Sequence, residues 1–302
     1  MIILFIYLQL ILKGWLGMKK IFITGSSGDI GSRLKRGLEY QGYEVLESEN
    51  KLLRIEDKNY FDAINNPESI DVLYHLAAIS FVPLSWEKPS DFIKTNVLGT
   101  SNVIEFCRVN EIKLIYISSY AYGIPQYLPI DENHPVLSVN PYALSKNMGE
   151  QLCEFYGKNF NLEYNIIRPF NVFGSLRNKS MLIPEIIDQL IEGKSIKVKD
   201  LVPKRDYIFI DDVIDFLVLS QNKFTNDVYN LGSGQSYSVK EIIDTCQKVW
   251  GTDVEILSEQ VTRKNEIPET ISNMSKVKNV FSWRPKYNLE DGLIVMKKNY
   301  EK

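Results

Sequence analysis

The sequence predicts an α/β fold, a doubly wound parallel sheet with a smaller C-terminal α/β lobe. Three observations carry this. Short apolar runs alternate with stretches of helical periodicity through the first half of the chain. The first of those runs ends in a cluster of glycines that opens a helical stretch. The 302 residues allow two units at about 150 residues per domain, and the alternation loosens after Arg168.

Residues 1–12, MIILFIYLQLIL, are almost wholly apolar but fall short of the roughly 20 residues that a spanning helix needs. They also lack the preceding positive charge of a signal peptide. Met18 leads directly into a strand, so residues 1–17 are expected to be an upstream extension outside the fold, with a weak membrane anchor as the alternative. Ile21–Thr24 reads as a buried parallel strand ending in a glycine turn. Ser32–Tyr40 is helical in pattern, with Leu34 and Leu38 four apart, and Tyr43–Leu46 is a second strand. Val72–His75 and Leu114–Ser118 are further strands, separated by a helical stretch from about Ser90 to Asn110. Asn140 and Pro141 open another helix, because Asn caps and Pro suits the first helical position. Leu144, Met148, Leu152 and Phe155 give that helix an apolar face, and Tyr164–Ile167 is the next strand.

Composition is that of an ordinary globule, 44% hydrophobic and 24% charged, with mean hydropathy −0.16. The net charge of −3 comes without any basic stripe, so nucleic acid is not an expected partner. A membrane is not expected either, and a cytoplasmic homodimer is. Cys107, Cys153 and Cys246 are too few and too scattered for a disulfide framework or a zinc site, and two histidines cannot build a His-rich metal centre. No metal is expected.

Thr24-Gly25-Ser26-Ser27-Gly28-Asp29-Ile30-Gly31 sets its glycines at G-x-x-G-x-x-G between strand and helix. Such a turn lets backbone approach a diphosphate, which then meets the positive end of the helix. The expected ligand is a dinucleotide and the expected topology Rossmann-type. The second strand runs into Glu47-Ser48-Glu49-Asn50; a carboxylate here, Glu49 foremost, would accept from a ribose 2′-hydroxyl and repel a 2′-phosphate. NAD is therefore expected over NADP. These acids have a second reading, as caps on an exposed strand end.

Tyr142 and Lys146 are four apart on one helix and share a face. A phenol with pKa near 10 becomes a base at neutral pH only if its anion gains about 4 kcal/mol. One ammonium about 4 Å away, at an effective dielectric near 20, supplies about that much. Ser118, at the end of its strand, can hydrogen-bond the same substrate hydroxyl.

Further segments fall in line with these: HLAA at 75–78, NVLGTSNVIE at 96–105, ISSYAYG at 117–123, NPYALSK at 140–146, RPFNVFG at 168–174, KRDYIFIDDV at 204–213, YNLGSG at 229–234 and WRPKYNLEDGL at 283–293. Together with TGSSGDIG at 24–31 they resemble the extended short-chain dehydrogenase/reductase family, in particular its NAD-dependent nucleotide-sugar epimerases and dehydratases of the UDP-glucose 4-epimerase type. The resemblance implies Tyr142 as acid/base, Lys146 as its electrostatic partner and a ligand of the nicotinamide ribose, and Ser118 as the second hydroxyl contact, with Ser119 as the alternative serine. For the cofactor it implies Gly25, Gly28, Asp29, Ile30 and Gly31 at the diphosphate and Ile55 in the adenine pocket, where Arg54 replaces the usual preceding acid. Leu76, Ala77, Ala78, Asn96 and Phe170 complete the cofactor set. Asn171, Arg205 and Arg263 are the implied substrate contacts, the arginines on the diphosphate of a UDP-sugar. Arg205 has the alternative of pairing with Asp206 or Asp211. His75 is expected to be a packed strand-end residue, and Tyr120 to need no special role. Residues 18–168 should form the NAD-binding domain, with a return segment near 206–225, and 169–302 mainly the substrate lobe.

Dehydratases of the family carry an acidic pair after the catalytic serine or threonine, decarboxylases a nearby glutamate, and one group of epimerase-reductases a Cys and His pair. Residues 119–121 are Ser-Tyr-Ala, with no cysteine close by. The reaction that needs only Tyr, Ser, Lys and NAD is 4-epimerisation through a transient 4-keto sugar. A 4-keto-sugar reductase or a dehydratase is the alternative within the family, and a non-catalytic dinucleotide sensor the alternative outside it.

Overall fold

The computed structural model describes residues 18–48, 53–177, 179–193, 195–261 and 266–300. Its strands are β1 (Lys20–Thr24), β2 (Glu44–Leu46), β3 (Val72–His75), β4 (Lys113–Ile117), β5 (Tyr164–Pro169), β6 (Asn171–Phe173), β7 (Ile196–Val198), β8 (Lys204–Phe209), β9 (Asp227–Leu231), β10 (Ser236–Ser238) and β11 (Ile256–Ser258). Six of them form one parallel sheet in the order β2-β1-β3-β4-β5-β9.

Period-two alternation along the strands feeds two cores. Ile21, Ile23, Tyr74, Ile115 and Ile167 point to one face, under Leu34 and Leu38 of the helix Asp29–Tyr40 and Phe216 of the helix Ile210–Ser220. Phe22, Leu73, Leu114, Tyr116 and Ile166 point to the other, under Val103 and Cys107 of the helix Gly99–Val109 and Cys153 of the helix Pro141–Phe160. All three cysteines are free and buried. The second lobe gathers Ile186 of the helix Leu182–Ile191, Ile243 of Val239–Trp250 and Leu293 of Leu289–Tyr300 around Phe173 and Phe209.

Two expectations change and one gains detail. The first helix begins at Asp29, three residues before the periodic pattern, because Gly28 already serves as its N-cap. The helical stretch expected from about Ser90 to Asn110 runs unbroken from Pro89 to Val109, with a π segment at Ile93–Leu98 between Pro89–Phe92 and Gly99–Val109. The return to the sheet extends past residue 225, since β9 pairs with β5 as the sixth strand. The upstream extension, Glu49 and Arg263 lie outside the described residues. Among the described residues, no helix is long and apolar enough to cross a membrane.

Candidate active site

The expected cofactor and catalytic positions gather at the C-terminal edge of the sheet, where the order reverses between β1 and β3. Gly25 follows β1 with φ +72, in the left-handed region, and a Cβ there would stand 2.7 Å from the amide nitrogen of Ala77. A Cβ on Gly31 would overlap the Gly25 carbonyl. The Gly28 amide donates to that carbonyl at 3.1 Å and closes the turn. No side chain caps the helix that follows, which leaves its positive end to an anion.

Behind the loop, a hydrogen-bonded chain fixes the end of β3. Thr24 Oγ1 lies 2.8 Å from His75 Nδ1 and accepts from the Ala77 amide at 3.3 Å, and His75 Nε2 lies 2.9 Å from Thr100 Oγ1. Burial pushes the His75 imidazole down to about 3, with the Lys146 charge adding to this, so it stays neutral. Both ring nitrogens are engaged, as a packed strand-end residue requires. Asn96, inside the π segment, accepts from the Ile79 amide at 2.9 Å and donates to the Ile79 carbonyl at 3.0 Å and to Ser145 Oγ at 2.9 Å. It pins the loop after β3 to the helix that carries Tyr142 and Lys146. Leu76 and Ala77 are half-buried beside Gly25, and Ala78 is exposed. Ile55 is buried where a Cβ on Gly99 would meet its Cγ2 at 2.6 Å.

Asn140 Oδ1 accepts from the Ala143 amide at 2.8 Å and caps Pro141–Phe160 as its sequence indicates. The Lys146 ammonium is buried, 4.3 Å above the Tyr116 ring, and burial pulls it down to about 8 against the opposing influence of Glu150. Burial pushes the Tyr142 phenol above the usual tyrosine range, and a hydrogen bond with Ser119 works in the other direction. In the cofactor-free chain, desolvation of Tyr142 outweighs what the chain's own groups supply. Ser118 continues the strand, its amide donating to Ile167 at 2.7 Å, and its buried hydroxyl has no partner. Ser119, the alternative serine, is the one whose side chain hydrogen-bonds the Tyr142 phenol.

Tyr120, expected to be packing only, is part of the same wall. Its ring stacks on Phe170 at 4.8 Å and its hydroxyl donates to Asn171 Oδ1 at 3.0 Å. Burial raises its pKa, and the neighbouring Arg205 opposes that. Asn171 donates onward to the Asp206 carbonyl at 3.0 Å. The position of Tyr120, between the serine pair and Tyr122-Gly123, was the one sequence signal for it. Arg205 pairs with neither Asp206 nor Asp211. It donates to Ile267 O at 2.6 Å and to Lys204 O at 2.8 Å, and it ion-pairs with Glu266. Asp206 is fully buried and already accepts from Ser233, Gly234 and Ser272.

Beneath the site lies a pair that no motif singled out. Arg168 Nε donates to Glu150 Oε1 at 2.9 Å, and its NH1 donates to Tyr122 Oη at 2.8 Å. Both charged side chains are under one-tenth exposed.

Residues 21–232 match the model of the NAD-dependent epimerase/dehydratase family. The chain is 31% identical to a UDP-glucose 4-epimerase of Lactobacillus helveticus, over 91% of this chain and 94% of that one. Among solved structures it superposes on the UDP-glucose 4-epimerase of Thermotoga maritima with UDP-glucose at a TM-score of 0.87 and 26% identity, covering 93% of this chain and 98% of that one. It also superposes on RMD of Pseudomonas aeruginosa complexed with NADPH at a TM-score of 0.87 and 25% identity, covering 94% and 99%.

Proposed function

The chain belongs to the NAD-dependent epimerase/dehydratase family, and from that premise we propose that it epimerises a nucleotide sugar at C4, with a UDP-sugar as substrate. One observation carries the reaction: Tyr142 and Lys146 stand one turn apart on Pro141–Phe160, Ser119 hydrogen-bonds the Tyr142 phenol, and residues 118–121 contain no carboxylate with which to eliminate water or carbon dioxide.

The residues present fit NAD. The turn at Gly25 and Gly31 has no room for side chains, the helix start is uncapped, and the buried Ser118 hydroxyl is the kind of orphan that a bound ligand satisfies. Gly25, Gly28 and the first turn at Asp29, Ile30 and Gly31 would hold the diphosphate, Ile55 the adenine end, and Leu76, Ala77, Ser118 and Lys146 the nicotinamide end. NAD, when bound, would supply the hydride acceptor and donor for C4 and, in its oxidised form, a positive charge. Tyr142 removes the proton of the sugar 4-hydroxyl and restores it once the keto sugar presents its other face. Ser119 shares that proton through its hydrogen bond to the phenol. Lys146, buried and still protonated at neutral pH, favours the phenolate through the field it adds to the site. Tyr120 and Asn171 form a polar edge along which the sugar can turn. Arg205, with Glu266 displaced, offers a planar fork for the diphosphate.

The outward apolar residues Leu144 and Phe155, on the helix that carries the site, support a homodimer. Purified protein loaded with NAD should equilibrate UDP-glucose with UDP-galactose, or their N-acetyl forms, without added reductant. Turnover that consumes one reduced cofactor per sugar would replace this reading with the reductase.

A further inference from the structure

Two arginines tie the second lobe to the rim of the glycine loop, and neither has a place in the reaction above. Arg33, on the helix Asp29–Tyr40, donates to Asp211 Oδ1 at 3.1 Å and to the Gly174 carbonyl at 3.3 Å. Those contacts anchor the turn that leaves β6, at residues 174–177. The turn ends with Arg177, whose amide donates to Ser175 Oγ at 3.2 Å and whose Nε lies 3.6 Å from Asp29 Oδ1. Asp29 is the first residue of the helix whose positive end faces the diphosphate site. A carboxylate there suits the helix dipole but repels a diphosphate arriving at the same terminus. Arg177 cancels that repulsion and brings a guanidinium from the opposite lobe to the edge of the cradle.

We propose that Arg177 is a cofactor-retaining residue, parked on Asp29 and shared with the dinucleotide diphosphate when NAD is bound. The strap so formed joins the two lobes across the cofactor. This rests on the NAD reading above, and it suits that chemistry. An epimerase returns each hydride to the sugar it came from, so its cofactor ends a turnover in the state in which it began and has no need to leave.

Arg177 is solvent-exposed, its side chain 68% accessible, and Asp29 is half-buried, so removing the guanidinium leaves folding intact. The test is calorimetric titration of the full chain, stripped of cofactor, with NAD and with ADP-ribose, which has the diphosphate but no nicotinamide. Arg177→Ala should raise Kd for both ligands about tenfold, a difference that shrinks at high salt, and Arg177→Lys should fall between. Asp29→Asn should tighten both ligands by about twofold or more, because the repulsion goes and the guanidinium is released. Affinities for Arg177→Ala within about twofold of wild type would overturn the strap. So would Asp29→Asn weakening binding as Arg177→Ala does, since the pair would then merely prop the turn. A wild-type chain that binds neither ligand would remove the NAD reading and the strap together, whereas one that binds both leaves the strap to be judged alone.

Discussion

Two helices start at the same edge of the sheet, and they obey opposite rules. Asp29–Tyr40 buries Gly31, Leu34 and Leu38 and turns Arg33, Lys35 and Arg36 outward. Pro141–Phe160 buries Ser145, Lys146, Asn147 and Glu150 and leaves Leu144 and Phe155 about half exposed, at 46% and 56%. An apolar stripe therefore marks the inner face of the first helix and the outer face of the second. The first is held by area removed from water. The second adds to Cys153 a set of paired polar groups, Ser145 with Asn96, Asn147 Nδ2 with Ser138 and Glu150 with Arg168, which cost more when a partner is lost and tolerate less change in shape.

The largest test of this contrast lies at Glu150. Its removal in Glu150→Ala leaves the buried Arg168 guanidinium unpaired, and the expected loss of stability is about 3–5 kcal/mol. Leu34→Ala, on the other helix, should cost a comparable amount, about 2–5 kcal/mol, through a cavity. The two losses separate on repair. Replacing the pair together, Glu150→Leu with Arg168→Met, should recover much of the stability in a urea titration. A single Glu150→Ala costing under about 1 kcal/mol would mean that the polar face is not what holds this helix.

Next comes chemistry. Tyr142→Phe removes one oxygen from a residue packed edge-on to Phe92, so melting should barely move while turnover falls by about 10²–10⁴. Ser119→Ala should lower the rate more than Ser118→Ala does, and Ser118→Ala should show itself mainly in weaker NAD retention. Equal turnover in Tyr142→Phe would remove the base from the mechanism.

Lys146 gives a smaller effect of opposite sign. Burial lowers its pKa from 10.5 to about 8, so protonation favours the unfolded chain. That penalty is fully present below pH 8 and fades as pH rises from about 8 to 10.5. Its ceiling is about 3 kcal/mol. Lys146→Met should therefore stabilise the cofactor-free protein at pH 7, and the two stability curves should converge toward pH 10.5. NAD binding should weaken in the same variant. A Lys146→Met protein less stable than wild type at pH 7 would show that the ammonium is already well compensated.

What could be read from the sequence follows the same division. The strands at Val72–His75 and Glu44–Leu46, the Asn140 cap and the glycine turn were legible because each depends on local chemistry: period, capping oxygen, backbone freedom. The inner face of Pro141–Phe160 was not, because periodicity reports where apolar side chains sit and says nothing of what covers them. The choice between Ser118 and Ser119 depended on one residue of register at a strand end. The Glu150–Arg168 and Arg205–Glu266 pairs join residues 18 and 61 apart, and nothing local announces them. The π segment holds Asn96, whose partners Ser145 and Ile79 are likewise distant in sequence or outside the helix, and nothing local announces it.

The smallest effect belongs to the outer stripe, and it decides what the stripe is for. If water covers Leu144 and Phe155, Leu144→Ser with Phe155→Ser should change stability by no more than about 0.5 kcal/mol per site, as surface substitutions do. If a second copy covers them, the same variant keeps its fold at high concentration but loses association. Each protomer then forfeits about 25 cal/mol for every Å² of apolar surface left wet. Sedimentation of wild type and variant over a dilution series separates the cases. A wild-type dimer that the double substitution splits, with bound NAD and the monomer's denaturant midpoint retained, would assign the stripe to a second copy. A wild-type monomer at every concentration would make the exposed face a consequence of the buried chemistry alone, the apolar residues standing outside because Lys146, Asn147 and Glu150 hold the inside.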